Sequence, residues 1–220
     1  MQPRPQQRER YTPQTGLIVV DVQNDFADPA GSLAVNGAID IIPTINDEIA
    51  TAGAAGALVV LTQDWHPAST PHFQKDGGIW PVHCVADTWG AQLFPSLRAP
   101  DDAPRVRKGV NGEDGYSGFT TRDPVTGETA PTELEPLLRD RGIERLVVCG
   151  LATDYCVNAT ALDGRRLGFP TYVLLDACRA VNLRSGDGQR AIAAMQAAGC
   201  VPWQARVPPR PSTAAATPTR

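Results

Sequence analysis

Leu146-Val147-Val148-Cys149-Gly150-Leu151-Ala152-Thr153-Asp154-Tyr155-Cys156 opens as a run of apolar, mostly branched side chains and ends on a cysteine. Val157-Asn158-Ala159-Thr160-Ala161-Leu162 follows as ordinary helix material. The pattern predicts a buried strand, a tight turn and a helix. Thr153 or Asp154 is the expected N-cap, with a side-chain oxygen for an orphan amide. Cys156 then falls in the first helical turn, where the positive end of the helix favours thiolate over thiol. Free backbone amides there are placed to hold a developing oxyanion. The same stretch also describes an inert cysteine buried at a strand–helix junction, so the rest of the chain has to decide.

Outward from this stretch, strand-like and helix-like segments alternate. Leu17–Val22 and Ala57–Thr62 read as buried strands, with a helix at Ile39–Ala55 between them. Arg105–Lys108 is a short third strand, Arg145–Gly150 the fourth, Thr171–Asp176 the fifth and Cys200–Gln204 a sixth. Helices are expected at Thr132–Arg141, Asp154–Leu167 and Asp187–Ala198. This alternation predicts an α/β fold of three layers, with a mostly parallel sheet between helices. The chain of 220 residues suits one such domain, expected over 16–206, between disordered tails at 1–15 and 207–220. The Arg122–Ala130 stretch carries a turn at Gly127.

Bulk properties exclude several classes. A net charge of −4 gives no basic surface for nucleic acid or anionic lipid. No apolar run approaches the ~20 residues that span a bilayer, and the polar N-terminus is no secretory signal. Five cysteines, an odd count without a Cys-x-x-Cys pair, fit thiols in a reducing cytoplasm. The expected partners are therefore small molecules, with neither nucleic acid nor membrane. Whether the chain is a monomer or a homo-oligomer stays open.

Reactive residues collect at the carboxyl ends of the expected strands, where open parallel sheets place their sites. Asp21 closes the first strand, Asp64 and His66 follow the second, Lys108 the third and Cys156 the fourth. A carboxylate beside a thiol can take its proton and return it to a leaving amine. Lys108, one of only two lysines, would hold that carboxylate ionised and favour thiolate. The only three histidines, His66, His72 and His83, share the long irregular stretch Trp65–Ala103 with its neighbour Asp64. Three imidazoles and a carboxylate in one loop suit a divalent transition metal with open positions. Cys84, beside His83, is assigned to packing. Phe26, Trp80 and Tyr116 could wall a pocket for a flat ring.

With these residues in hand, the chain resembles the nicotinamidase/pyrazinamidase branch of the isochorismatase-like cysteine hydrolases. The matching stretches are Asp-Val-Gln-Asn-Asp-Phe at 21–26, Gly-Ser-Leu-Ala-Val at 31–35 and Thr-Gln-Asp-Trp-His at 62–66. His72-Phe73, Trp-Pro-Val-His-Cys at 80–84, Lys108-Gly109, Tyr-Ser-Gly-Phe at 116–119 and Gly-Leu-Ala-Thr-Asp-Tyr-Cys-Val at 150–157 follow in order. The resemblance implies the isochorismatase-like hydrolase fold, with six mostly parallel strands. It implies an Asp21–Lys108–Cys156 triad, an oxyanion hole from the amides of Ala152 and Cys156, and a cis peptide between Leu151 and Ala152. Phe26, Trp80 and Tyr116 would contact substrate. Asp64, His66, His72 and His83 would hold one divalent transition metal per chain: Zn, Fe or Mn. The implied activity is hydrolysis of nicotinamide, and of pyrazinamide, through a thioester, in NAD salvage. Two other readings remain: a related cysteine amidase acting on another small amide, and a metal-binding or thiol-redox protein without hydrolytic activity. The second has no use for Asp21 and Lys108.

Overall fold

The structure, a computed structural model, describes residues 11–203. Its centre is a sheet of six strands. They are β1 (Thr15–Val20), β2 (Leu58–Asp64), β3 (Arg105–Lys108), β6 (Arg145–Leu151), β7 (Thr171–Arg179) and β8 (Val201–Pro202). Their spatial order is β3-β2-β1-β6-β7-β8, and every neighbouring pair is parallel. β4 (Thr120–Arg122) and β5 (Thr129–Pro131) form a separate antiparallel hairpin with Gly127 in its turn. The helices are α1 (Asn24–Ala27), α2 (Ala38–Ala54), α3 (Leu134–Asp140), α4 (Asn158–Arg166) and α5 (Asp187–Ala197). The long stretch after β2 carries only a single 3₁₀ turn at Gln74–Asp76.

The apolar pattern explains the layering. Every residue of β1 is buried, and β2 and β6 bury all but their first, as strands covered on both faces must. α2 turns Ile41, Ile42, Ile45, Ile49 and Ala52 inward at helical spacing. From β1 the chain winds outward through β2 to β3, then returns to β6 and winds the other way through β7 to β8. Right-handed crossovers therefore put α2 on one face, against β1, β2, β6 and β7, and α4 and α5 on the other. The reversal lies between β1 and β6, the place where open sheets leave a crevice beyond their carboxyl ends.

The ends of the described chain meet. Tyr11 Oη donates to Glu48 Oε2 at 2.8 Å, and Trp203 Nε1 donates to the same oxygen at 3.3 Å. The two rings lie 5.1 Å apart. Tyr11–Thr15, expected in the N-terminal tail, thus pack into the fold. The rest of the expected tails, 1–10 and 207–220, lies outside the described residues, as do 204–206 at the end of the expected domain. β7 runs to Arg179 rather than stopping at Asp176, because its pairing with β6 shifts register between Val148 and Gly150 and resumes at Cys178. No helix among the described residues is long and apolar enough to cross a membrane.

Gly150 permits the close approach of β6 to β1. Its φ is +113°, and a Cβ there would meet Val20 O at 2.2 Å and Val20 N at 2.7 Å. Both obstacles are backbone, so neither can swing aside. Gly150→Ala should lower unfolding free energy by more than about 3 kcal/mol. Gly53→Ala, on α2 with nothing within 4 Å of the added methyl, should be neutral or stabilising by about 0.5 kcal/mol. Urea unfolding of both variants checks this; equal midpoints would contradict it.

Candidate active site

Four strands deliver side chains to the crevice. Asp21 follows β1, Asp64 and Lys108 end β2 and β3, and Cys156 lies five residues beyond β6. Asp21 leaves the strand with φ +49°, which turns the chain away from the sheet. Gln23 then restores the interrupted ladder with its side chain. Its Oε1 accepts from Asp64 N at 2.8 Å, and its Nε2 donates to Asp64 O at 2.7 Å and to Ala91 O at 2.9 Å. The backbone of Asp64 is thereby fixed from both sides.

Lys108 is 1% exposed and lies between two carboxylates. Its Nζ is 2.8 Å from Asp21 Oδ2 and 2.6 Å from Asp64 Oδ1, and 3.6 Å from Cys156 Sγ. Asp21 also accepts from Thr62 Oγ1 at 2.5 Å. Ligand atoms of Asp21, Asp64 and Cys156 all lie within 4.8 Å of one another. Burial disfavours the Lys108 ammonium, but the two carboxylates outweigh it and its pKa lies well above the ordinary value. Burial disfavours the Asp64 carboxylate as well; Lys108 and the adjacent histidines reverse this and hold the carboxyl well below its usual range. For Asp21 burial wins over Lys108, and its pKa is raised. Burial also pushes the Cys156 thiol well above its usual value, with Lys108 pulling the other way. Burial thus opposes the thiolate that the helix-end argument favours, and the sulfur lies close to a carboxylate whose proton affinity is raised.

The three histidines converge. Nitrogens of His66, His72 and His83 lie within 4.8 Å of one another, and all three residues are buried. Asp64 Oδ2 is 3.8 Å from His66 Nε2 and 3.9 Å from His83 Nε2. His83 Nδ1 donates to Pro81 O at 2.7 Å, which leaves the Nε2 lone pair free. Burial, then the charges of His66 and His83, push His72 down to about 4, so it is a neutral imidazole near pH 7. Both ring nitrogens of His66 are buried without a hydrogen-bond partner, although buried polar atoms normally have one. Three buried imidazoles beside a carboxylate fit a divalent transition metal. Gly109 makes room for the cradle, since a Cβ there would lie 2.3 Å from His66 Nδ1. Cys84 stands outside this group; its Sγ points to Gly90 O at 3.8 Å, and its amide donates to Asp25 Oδ2 at 2.7 Å.

A pocket joins the two clusters, with Cys156, Asp64, His72 and His83 in its lining. Phe26, Trp80 and Tyr116 line it as expected, Phe26 with its centroid 5.5 Å from that of His83. Trp80 Nε1 donates to Tyr116 Oη at 3.1 Å. Tyr155 closes the wall, edge-on to Trp80 at 5.0 Å and to Tyr116 at 5.2 Å. Leu33, Val35, Leu151, Tyr155 and Val181 also line the pocket without having been singled out as site residues. Leu33 and Val35 belong to the quoted Gly-Ser-Leu-Ala-Val stretch and Tyr155 precedes the cysteine, so these carried a signal; Val181 carried none.

The turn holding Cys156 differs from the expected helix start. Thr153–Val157 forms a π-helical turn, and α4 begins only at Asn158. Its N-cap position is Ala152, with no side-chain cap. Neither Thr153 nor Asp154 caps; the Asp154 carboxylate is taken by two amides elsewhere, Val181 N at 2.9 Å and Asn182 N at 2.7 Å. The Leu151–Ala152 peptide is cis, as the resemblance implied.

Residues 15–206 match the isochorismatase domain model. The chain belongs to the isochorismatase family. It is 38% identical to the nicotinamidase of Escherichia coli over 203 residues, covering 85% of this chain and 93% of that protein. The crystal structure of the pyrazinamidase of Pyrococcus horikoshii in complex with zinc superposes with a TM-score of 0.78 at 40% identity, covering 87% of this chain and 99% of that one. The structure of PnC1 from L. infantum in complex with nicotinate gives 0.82 at 35% identity, with coverages of 89% and 96%. Lys108 Nζ, 3.6 Å from Cys156 Sγ, is the cation whose charge opposes the effect of burial on that thiol. Lys108→Met should shift the pH profile of Cys156 alkylation by iodoacetamide to higher pH, and slow labelling near neutrality at least about tenfold. An unchanged profile in a folded variant would contradict this placement.

Proposed function

We propose that this isochorismatase-family chain is a nicotinamidase that also accepts pyrazinamide, hydrolysing each amide to its carboxylate and ammonia. The observation that carries the reading is one narrow pocket whose lining includes both the thiol of Cys156 and the Asp64, His72 and His83 edge of the histidine cradle. The identity to nicotinamidases and the likeness to structures holding zinc or nicotinate support it. The free state of all five cysteines suits a reducing cytoplasm.

Asp21, Lys108 and Cys156 are assigned the chemistry. Asp21 takes the thiol proton as Sγ attacks the amide carbon, and Lys108 balances the charge that passes from carboxylate to sulfur. The amides of Ala152 and Cys156 hold the oxyanion; losing one such donor typically costs roughly 10²–10³ in rate. Asp21 then gives its proton to departing ammonia, and a thioester remains on Cys156. Asp21 next takes a proton from water as that water attacks the thioester; collapse expels the Cys156 sulfur, which recovers this proton from Asp21 as thiol, and the acid product leaves as the carboxylate with its proton passing to solvent. A raised Asp21 pKa serves both directions of this transfer. Phe26, Trp80 and Tyr116 confine the flat ring. Asp64, His66, His72 and His83 would hold one divalent transition metal ion, Zn, Fe or Mn. When bound, that ion supplies a Lewis-acid position for a ring nitrogen.

Ammonia release tests the reading. Nicotinamide and pyrazinamide should be turned over, and benzamide, which lacks the ring nitrogen, should lose kcat/KM by orders of magnitude, roughly 10²-fold or more. Cys156→Ala should retain the fold and metal content and lose turnover. Metal analysis should find one ion per chain in the parent and much less in His72→Ala. Benzamide hydrolysed as well as nicotinamide, or preference for an N-carbamoyl substrate, would replace the substrate assignment. Equal metal in His72→Ala would remove the ligand set.

A further inference from the structure

We infer that Asp154 is a positioning residue that sets the width of the ring pocket by holding the backbone of Val181. The inference rests on the pocket's being the ring site proposed above. Asp154 lies two residues before Cys156, in the same π-helical turn. Its two carboxylate oxygens are divided between two successive amides of the loop after β7: Oδ1 accepts from Val181 N at 2.9 Å and Oδ2 from Asn182 N at 2.7 Å. Hydrogen bonds from amides to an ionised carboxylate are about twice as strong as neutral ones. The turn that carries the nucleophile and the loop that carries a wall residue are thereby one unit.

The loop has its own reasons to depend on that hold. Asn182 has φ +54°, in the left-handed region that asparagine enters more readily than most other non-glycine residues. Its Oδ1 accepts from Gly188 N at 2.9 Å, which ties the far end of the loop to the start of α5. Gly188 has no room for a side chain, since a Cβ would meet Ala180 Cβ at 2.7 Å. Asn182–Ser185 are otherwise exposed, and Leu183 is 63% exposed, so no packing from outside presses Val181 inward. Val181 is the only residue of this loop that lines the pocket. Its backbone amide is fixed by Asp154, and its side chain limits what the pocket admits. Each carboxylate oxygen takes one of the two N–H groups, so in this arrangement an Asn amide would turn an NH₂ against one of them.

The consequence is a specificity role distinct from the chemistry. Release of the Val181 backbone should loosen ground-state binding of the ring and leave the thiol, Asp21 and Lys108 in place. In Asp154→Asn, amide hydrogen exchange should accelerate at Val181 and Asn182. KM for nicotinamide should rise roughly tenfold, the effect of one lost hydrogen bond to a charged group, with kcat within about twofold. Discrimination against nicotinamides methylated at the free ring carbons should relax. Val181→Ala should relax the same discrimination directly, and adding Asp154→Asn to Val181→Ala should relax it no further. Faster exchange with unchanged KM and discrimination would overturn the proposal, as would a fall in kcat at constant KM. If Asp154→Asn does not fold, the single variant Val181→Ala still decides: discrimination unchanged from the parent would overturn the proposal. A parent enzyme inactive on nicotinamide would refute the functional reading instead, and the exchange comparison would stand apart from it.

Discussion

One ammonium group, Lys108 Nζ, lies buried between two carboxylates, and the site is arranged around it. Removing one partner from a buried ion network typically costs about 3–5 kcal/mol, because an uncompensated charge is left behind. Asp21 and Asp64 therefore hold Lys108 as firmly as it holds them. The two carboxylates differ in what else they face. Asp21 turns to Thr62 and the thiol; Asp64 gives one oxygen to Lys108 and presents the other to His66 and His83. The Asp21–Cys156 pair and the histidine cluster thus share one cation and stand side by side.

The fold supplies this meeting point through its topology. Two halves of the sheet wind away from the boundary between β1 and β6, and no crossover covers the crevice left there. The strand exits bring Asp21, Asp64, Lys108 and the Cys156 turn to that crevice, although 135 residues of sequence separate the first from the last. The irregular stretch after β2 returns His72 and His83 to His66. It is held by polar side chains that reach backbone groups, such as Asp25 on the amide of Cys84 and Gln23 on the carbonyl of Ala91. Segments of this kind lack regular ladders, so side chains must satisfy their backbone.

Much of this was legible because the residues concerned obey local rules. Buried apolar runs announced the strands, and rare residues at their exits announced the site: three histidines, one of two lysines and a cysteine after a strand. What escaped depended on long-range geometry. Asp154 looked like a helix cap because cap propensity is local, yet two amides nearly thirty residues away claimed its carboxylate. Val181 sits in a loop whose sequence is unremarkable; only the fold puts it against the pocket. The desolvation of Cys156 escaped for the same reason. Position at a helical turn is visible in sequence, whereas full desolvation among carboxylates is not. The π-helical turn has no reliable signature in composition, and the added length of β7 follows from a register shift that only pairing reveals.

The central claim is that the buried cluster makes Cys156 a covalent nucleophile. Acid quenching during turnover of nicotinamide, followed by peptide mass spectrometry, tests it most directly. The account predicts a nicotinoyl group on the peptide that contains Cys156, at no more than one per chain, which disappears as substrate is exhausted. Steady ammonia release with no acyl group on that peptide, when the same quench preserves an authentic thioester standard, would contradict it.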